Sequence, residues 1–234
     1  MKRLIDYGKS IGVELDDTAV QRFEAYMKLV LEWNERINLT SITDRDEFII
    51  KHFCDSVSLL GNVELKKGAR VIDIGTGAGF PAIPLKIARP DLNITMLDSL
   101  NKRLVFIKNH VLPELGLEAE VIHARAEELS KEKPYRESYD AAVSRAVANL
   151  SSLSEYCIPF VRVGGIFAAM KGPDCDEELE AARGAISTLG GNCIDVRRFE
   201  LPDKSTRCIA VIKKEKATPA KYPRRGVKIS KSPL

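Results

Sequence analysis

The run Arg70-Val71-Ile72-Asp73-Ile74-Gly75-Thr76-Gly77-Ala78-Gly79-Phe80-Pro81 constrains this chain more than any other stretch. Its first half is a short apolar run of β-type residues, and its second half sets glycines at alternate positions 75, 77 and 79. Glycine adopts positive φ without steric cost, and lacking a Cβ it lets a ligand come up to the backbone. A strand that ends in such a turn and opens a helix is the usual floor of a nucleotide-type pocket. A second apolar run, Asn93-Ile94-Thr95-Met96-Leu97-Asp98, ends in a carboxylate 23 residues beyond Gly75, placed to accept hydrogen bonds from both hydroxyls of a ribose. The spacing is Gly-x-Gly-x-Gly rather than Gly-x-Gly-x-x-Gly. That favours S-adenosylmethionine over a dinucleotide, because no pyrophosphate has to be cradled on the helix N-terminus. Gly-rich β–α turns also occur in α/β folds that hold no ligand.

From residue 70 onward β and α signals alternate. Strands are expected at 70–74, 93–98, 119–123, 139–144, 164–170, 193–199 and 207–213, with helices at 81–89, 100–115, 150–161 and 174–189. Alternation of this kind implies a parallel sheet with helices on both faces. The last two strands follow one another directly and should add an antiparallel edge, which gives the Rossmann-like α/β sheet of a class I S-adenosylmethionine-dependent methyltransferase. Before it, residues 16–37 read as an amphipathic helix capped by Asp16 or Asp17, with Val20, Phe23, Met27, Val30, Leu31 and Trp33 near helical spacing. A second helix is expected from Asp44 to Leu60. The expected organisation is therefore an N-terminal helical cap (1–62), a catalytic domain (63–215) and a basic C-terminal tail (216–234).

In a sheet of this type ligands sit outside the carboxyl ends of the strands. The residues just past those ends are Gly75 to Phe80, Asp98-Ser99-Leu100, Ala124 to Glu127, Ser144-Arg145 and Lys171-Gly172-Pro173. Gly75 and Gly77 would bring backbone close to the amino-acid part of the cofactor, Asp98 would hold the ribose, and Phe80 and Leu100 would form apolar walls. At Ala126 and Glu127 a backbone N–H and a carboxylate could read the adenine edge, although Glu127 also reads as a solvated acid opening a short helix. Arg145 is open between a cofactor contact, an RNA phosphate contact and a structural ion pair. Lys171, Lys102 and Arg103 start helices or loops on the same face and are candidate phosphate contacts.

The acceptor is narrowed by what is absent. Exocyclic-amine methylases carry an Asn/Asp-Pro-Pro-aromatic run after the fourth strand, where this chain has Ser144-Arg145-Ala146-Val147. A carbon-5 pyrimidine methylase needs a cysteine nucleophile there, and the nearest, Cys157, falls inside an expected helix. Guanine N7 needs neither, because its lone pair is free and no proton has to leave. Catalysis would then be positioning, by Arg145 and Lys171, with electrostatic help, and no acid–base residue is required. The glycine spacing and the lack of a Lys/Tyr or His pattern disfavour a nicotinamide dehydrogenase. A small-molecule methyltransferase and a non-catalytic RNA-binding module remain as competing readings.

The chain has 234 residues and a net charge of +3, yet Lys213 to Leu234 holds eight basic residues against Glu215 alone, which leaves the rest at −4. A basic tail on a mildly acidic body suits a polyanionic partner or a solubilising terminus, with Lys221, Arg224 and Arg225 the candidate RNA contacts. The tail should lie extended over the domain or become ordered on a partner. No apolar run approaches the roughly 20 residues of a membrane span, and no apolar segment follows the basic N-terminus, so neither a signal peptide nor a membrane partner is expected. Cys54, Cys157, Cys175, Cys193 and Cys208 contain no C-x-x-C pair. Reduced thiols and a cytoplasmic setting are expected rather than a disulfide framework or zinc site. The three histidines show no metal spacing, and no metal is expected. No long apolar heptad argues for an obligate dimer, so a monomer is expected.

Asn34-Glu35-Arg36-Ile37-Asn38-Leu39-Thr40-Ser41-Ile42 followed by His52-Phe53-Cys54-Asp55-Ser56 is similar to the N-terminal signature of the RsmG (GidB) family. So are Asp73 to Pro81, Leu97-Asp98-Ser99, Ser144-Arg145-Ala146 and Lys171-Gly172, in order along nearly the whole chain. The resemblance implies methylation of guanine N7 in 16S ribosomal RNA of the small subunit, with S-adenosylmethionine as donor and no DNA partner. It implies cofactor contacts at Gly75, Phe80, Ala126, Glu127 and Arg145 with Asp98 on the ribose, and it sets His52 and Asp55 on the substrate side. Taken alone, that pair at i, i+3 reads as a helix-surface hydrogen bond. The tail resembles the family's basic, proline-containing C-terminus but departs after Arg225, where Gly226-Val227-Lys228-Ile229 replaces the more common Gly-x-Pro.

Overall fold

Strand β1 (Arg70–Ile74) lies inside a seven-stranded sheet, third from one edge. Both of its faces are covered, which is why it reads as a continuous apolar run instead of an alternating one. Val71 points into a core shared with the N-terminal helices, whereas Ile72 and Ile74 point into a second core on the opposite face. The computed structural model describes residues 1–145, 148–173 and 175–234, so Ala146 and Val147 of the fourth strand-end motif lie outside it.

The N-terminal part comprises α1 (Lys2–Ser10), α2 (Asp17–Ile37), α3 (Arg45–Phe48) and α4 (Asp55–Asn62), the last two joined by a π-helical turn at Ile49–Cys54. Asp16 caps α2 by accepting from Ala19 N at 2.7 Å, and Asp44 caps α3 through Glu47 N at 2.8 Å. After β1 come α5 (Ala82–Ala88), β2 (Asn93–Asp98) and α6 (Asn101–Phe106), which continues through a π turn into α7 (Leu112–Leu115). Next are β3 (Glu120–His123), α8 (Ala126–Leu129), β4 (Tyr139–Arg145), α9 (Leu150–Cys157) and β5 (Val161–Lys171). The chain finishes with α10 (Cys175–Thr188), β6 (Gly191–Glu200), β7 (Thr206–Lys214) and α11 (Gly226–Lys231). The sheet order is β3-β2-β1-β4-β5-β7-β6. β1 to β5 are parallel, and β7 runs antiparallel between β5 and β6. The order reverses between β1 and β4, and the crevice opens at their carboxyl ends.

The N-terminal helices are fastened to this crevice. Phe23, Tyr26, Met27 and Val30 of α2 are buried in the first core, and the Tyr26 hydroxyl donates to Ala78 O of the glycine loop at 2.8 Å. A Cβ on Gly79 would stand 2.8 Å from that hydroxyl and 2.6 Å from Ile83 Cγ1, so this glycine is required by packing. Among the described residues no helix is long and apolar enough to cross a membrane.

Three features depart from expectation. α1 and α11 form where no helix was read from the sequence. Cys175 at the start of α10 and Cys208 on β7 are joined as a disulfide, against the expectation of reduced thiols throughout, while Cys54, Cys157 and Cys193 are free. The two paired positions are 33 residues apart, with Cα atoms 6.5 Å apart, and only the crossing of α10 over the sheet brings them together.

Candidate active site

The crevice encloses a cavity of about 660 Å³ at the switch point. All nine strand-end residues expected around a cofactor line it: Gly75, Gly77, Phe80, Asp98, Ser99, Leu100, Ala126, Glu127 and Arg145. Gly77 has φ +61°, and the nearest atom to where its Cβ would stand is 3.9 Å away, so the absent side chain leaves open floor. The loop is held from β2. Gly75 N and Thr76 N donate to Leu97 O at 2.8 and 3.1 Å, and the Asp98 carboxylate accepts from Gly77 N at 2.9 Å and from Leu100 N at 2.8 Å. Asp98 is 6 % exposed, and each of its oxygens keeps a lone pair beyond these bonds.

A second acid lies beneath the loop and was not singled out in the sequence. Asp73 accepts from Thr76 Oγ1 at 2.7 Å and Ala82 N at 3.3 Å, while its Oδ1 is buried without a partner among the described residues. Burial pushes its carboxyl up to about 7. A raised native value gives stability that is present below the unfolded pKa, near 4, and is lost as pH rises through about 7. Asp73→Asn, which cannot ionise, is therefore expected to gain in urea midpoint relative to the wild type between pH 4 and pH 8. A difference that stays constant over that range would show that Asp73 does not titrate there.

The opposite wall is aromatic. The His52 and Phe80 rings stack with centroids 4.5 Å apart and planes 11° from parallel, and the Arg145 guanidinium lies over Phe80 at 5.1 Å. Arg145 Nη1 donates to Asp55 Oδ2 at 2.9 Å and Lys51 O at 3.1 Å, and Nη2 reaches His52 Nδ1 at 3.2 Å. His52 Nε2 in turn meets Thr40 Oγ1 at 2.8 Å. Burial, reinforced by Arg145, lowers the His52 pKa to about 3, so the ring is neutral at physiological pH. With Nδ1 accepting from Arg145, the proton sits on Nε2 and is donated to Thr40. His52 and Asp55 thus share Arg145 rather than bonding each other, and Arg207 of β7 approaches Asp55 from its other side at 3.4 Å. These partners are far apart in sequence. The sequence hinted at them through the shared face of His52 and Asp55 and through the ion-pair reading of Arg145, which Asp55 fulfils.

The basic residues expected to meet RNA have separate fates. Lys102, Lys221 and Arg225 are exposed. Arg103 lines the cavity, and its Nε is buried without a partner among the described residues. Lys171 is not free for a phosphate: its side chain is 7 % exposed and its Nζ lies 2.8 Å from Glu178 and 2.5 Å from Ala148 O. Arg224 is not free either, because Glu155, which is fully buried, holds it through two side-chain nitrogens. Arg125, within the strand-end run Ala124 to Glu127, lines the cavity as well, and so do Tyr156 and Ser230, which were not foreseen.

The donor set fits S-adenosylmethionine: a carboxylate at the second strand end to accept from hydroxyls, open floor at Gly77, and an unanswered buried donor at Arg103. Together with the sheet order, this defines a class I S-adenosylmethionine-dependent methyltransferase. Residues 19–206 match the family model GidB, rRNA small subunit methyltransferase G. The chain is 48 % identical to ribosomal RNA small subunit methyltransferase G of Alkaliphilus metalliredigens, over 99 % of this chain and 97 % of the relative. It is also 48 % identical to the Acetivibrio thermocellus protein of the same name, over 100 % of this chain and 96 % of that one. The crystal structure of M. jannaschii TYW2 in complex with AdoMet shares the fold, with a TM-score of 0.51 and 12 % identity over 64 % of this chain and 70 % of that one. The chain belongs to the GidB family of small-subunit ribosomal RNA methyltransferases.

Proposed function

We propose that this chain transfers the methyl group of S-adenosylmethionine to N7 of a specific guanine in 16S ribosomal RNA of the small subunit. The observation that carries the choice of atom is the locked His52: neutral, and bonded at one nitrogen to Arg145 and at the other to Thr40, it has no lone pair left to take a proton. An acceptor that must lose a proton is poorly served by such a wall, whereas N7 attacks with a free lone pair.

The cofactor, when bound, supplies an electrophilic methyl on a sulfonium. Asp98 would accept from the ribose hydroxyls, the Gly75 and Gly77 backbone would lie against the amino-acid portion, and Ser99 and Leu100 would border the ribose. Ala126 N and Glu127 would read the adenine edge. Arg145 has five donors, of which three are engaged by Asp55, Lys51 and His52, and the others are available to the O6 edge of a guanine. Phe80 and His52 give that base an apolar boundary, and the rate then depends on holding N7 in line with the methyl. Lys102, Arg103, Lys221 and Arg225 are the candidate phosphate contacts, and binding should weaken steeply with salt. A target base in looped or single-stranded RNA is expected, since its edge must reach a recessed methyl.

The test is methyl transfer from labelled S-adenosylmethionine to small subunits lacking the modification, with borohydride–aniline cleavage at N7-methylguanine. One cleavage site in 16S RNA is the expected result. Label without cleavage would retain methyl transfer and discard N7, and no label in particles or naked RNA would discard the ribosomal substrate.

A further inference from the structure

Helix α11 borders the cavity. Ser230 of α11 lines it, and Ile229 anchors the helix, fully buried, with its carbonyl accepting from Ser152 Oγ of α9 at 3.3 Å. Gly226, the first residue of α11, lies against Glu127: a Cβ there would fall within the van der Waals shell of the carboxylate, 2.9 Å from its Cδ. The backbone at Gly226 is not left-handed, so an alanine there would meet only the Glu127 carboxylate, which would have to swing aside. Glu127 is 7 % exposed and borders the cavity, and its nearest cation, Arg125, is 3.7 Å away. No hydrogen bond to it occurs among the described residues. A recessed carboxylate with its accepting capacity unused, walled off from water on one side by the chain's own terminus, is prepared to take a donor from a ligand, and that bond is stronger for the exclusion of solvent.

We propose that α11 is the closing wall of the donor pocket and that Gly226 is a positioning residue acting through Glu127, so that this part of the tail serves S-adenosylmethionine affinity and not RNA capture. The inference rests on the cavity's being the donor site. It separates the tail into an anchoring stretch up to Arg224, engaged by residues of the domain, and a terminal helix whose work is at the cavity. The exposed Lys228 and Lys231 leave α11 on its solvent side and need not contact the ligand.

The experiment is calorimetric titration of S-adenosylhomocysteine into wild type, Gly226→Ala, Glu127→Ala and the double variant, with thermal midpoints and small-subunit affinity measured in parallel. Gly226→Ala is expected to weaken binding by about 10- to 100-fold, the loss of one hydrogen bond to a charged group, with unchanged midpoint and unchanged small-subunit affinity. The double variant should bind no worse than Glu127→Ala, because without the carboxylate the added methyl has nothing to displace. A chain ending at Arg225 keeps every upstream anchor and should show the same loss. Equal binding by wild type and Gly226→Ala, or additive losses in the double variant, would overturn the proposal, as would a truncation that weakens small-subunit binding alone. Failure of the wild type to bind would instead overturn the donor-site reading itself.

Discussion

Asp98→Ala is expected to weaken S-adenosylmethionine binding by about 100-fold or more in a chain that still folds, at a cost in stability from the two backbone bonds it loses. The carboxylate has two jobs at the same place. It accepts from Gly77 N and Leu100 N, at 2.9 and 2.8 Å, and so fixes the floor of the cavity and the turn after β2. Its remaining lone pairs face the position proposed for the ribose. Each hydrogen bond to a charged group contributes about 1.5–3 kcal/mol, so losing two to the ligand would weaken binding by roughly 10²–10⁴-fold, and loosening Gly77 adds to the loss. Asp98→Asn should be milder in shape but still costly, because its amide cannot accept on both sides. Calorimetry with S-adenosylhomocysteine measures this directly. Unchanged affinity in Asp98→Ala would remove Asp98 from the ribose and require another acceptor in the cavity.

Asp98 was readable in the sequence because strand and carboxylate are contiguous, as are β1 and its glycine loop. Information confined to a few neighbouring residues, such as a continuous apolar run, a cap at Asp16 or an acid at a strand tip, survives in one dimension. What failed to show was set by partners distant in the chain. The stacked His52–Phe80 wall joins residues 28 positions apart, and the Cys175–Cys208 pair 33. α1 has only nine residues and buries only Leu4 and Gly8, so its apolar face rests on few positions. Charge misled most in the tail. Eight basic residues near one terminus suggested a polyanion-binding arm or a solubilising terminus, yet Lys214 is fully buried, its Nζ bonded to Ile158 O and paired with Glu137, and burial lowers its pKa to about 8. Arg136 of the domain takes the carbonyls of Thr218 and Tyr222 at 2.8 and 3.0 Å, and Glu137 accepts from Thr218 N at 2.6 Å. Composition counts charges but does not show that their partners wait elsewhere in the domain.

Arg224→Ala is expected to destabilise the protein by about 3 kcal/mol, because it strips a buried carboxylate of its cation. Glu155 is fully buried on α9, and four contacts converge on it from one residue: Arg224 N at 2.7 Å and Nε at 3.0 Å to Oε1, Nε at 3.0 Å and Nη2 at 2.7 Å to Oε2. The alanine variant keeps the backbone bond to Oε1, which holds the cost near the lower end of the 3–5 kcal/mol typical of broken buried pairs. In a chain of this length that corresponds to a fall of about 6–12 °C in Tm. Removing both partners should cost less than the sum of the single changes, and an apolar pair, Glu155→Leu with Arg224→Met, should recover much of the loss, since neither ion then needs desolvating. Urea denaturation of the wild type, the two single variants and the double variant measures the coupling. A loss below about 1 kcal/mol for Arg224→Ala, accompanied by weaker binding to small subunits with a shallower salt dependence, would return this arginine to the phosphate backbone. The expected pattern is the reverse: a large stability change, additive with nothing on the RNA, and a tail that detaches from α9 before the sheet unfolds.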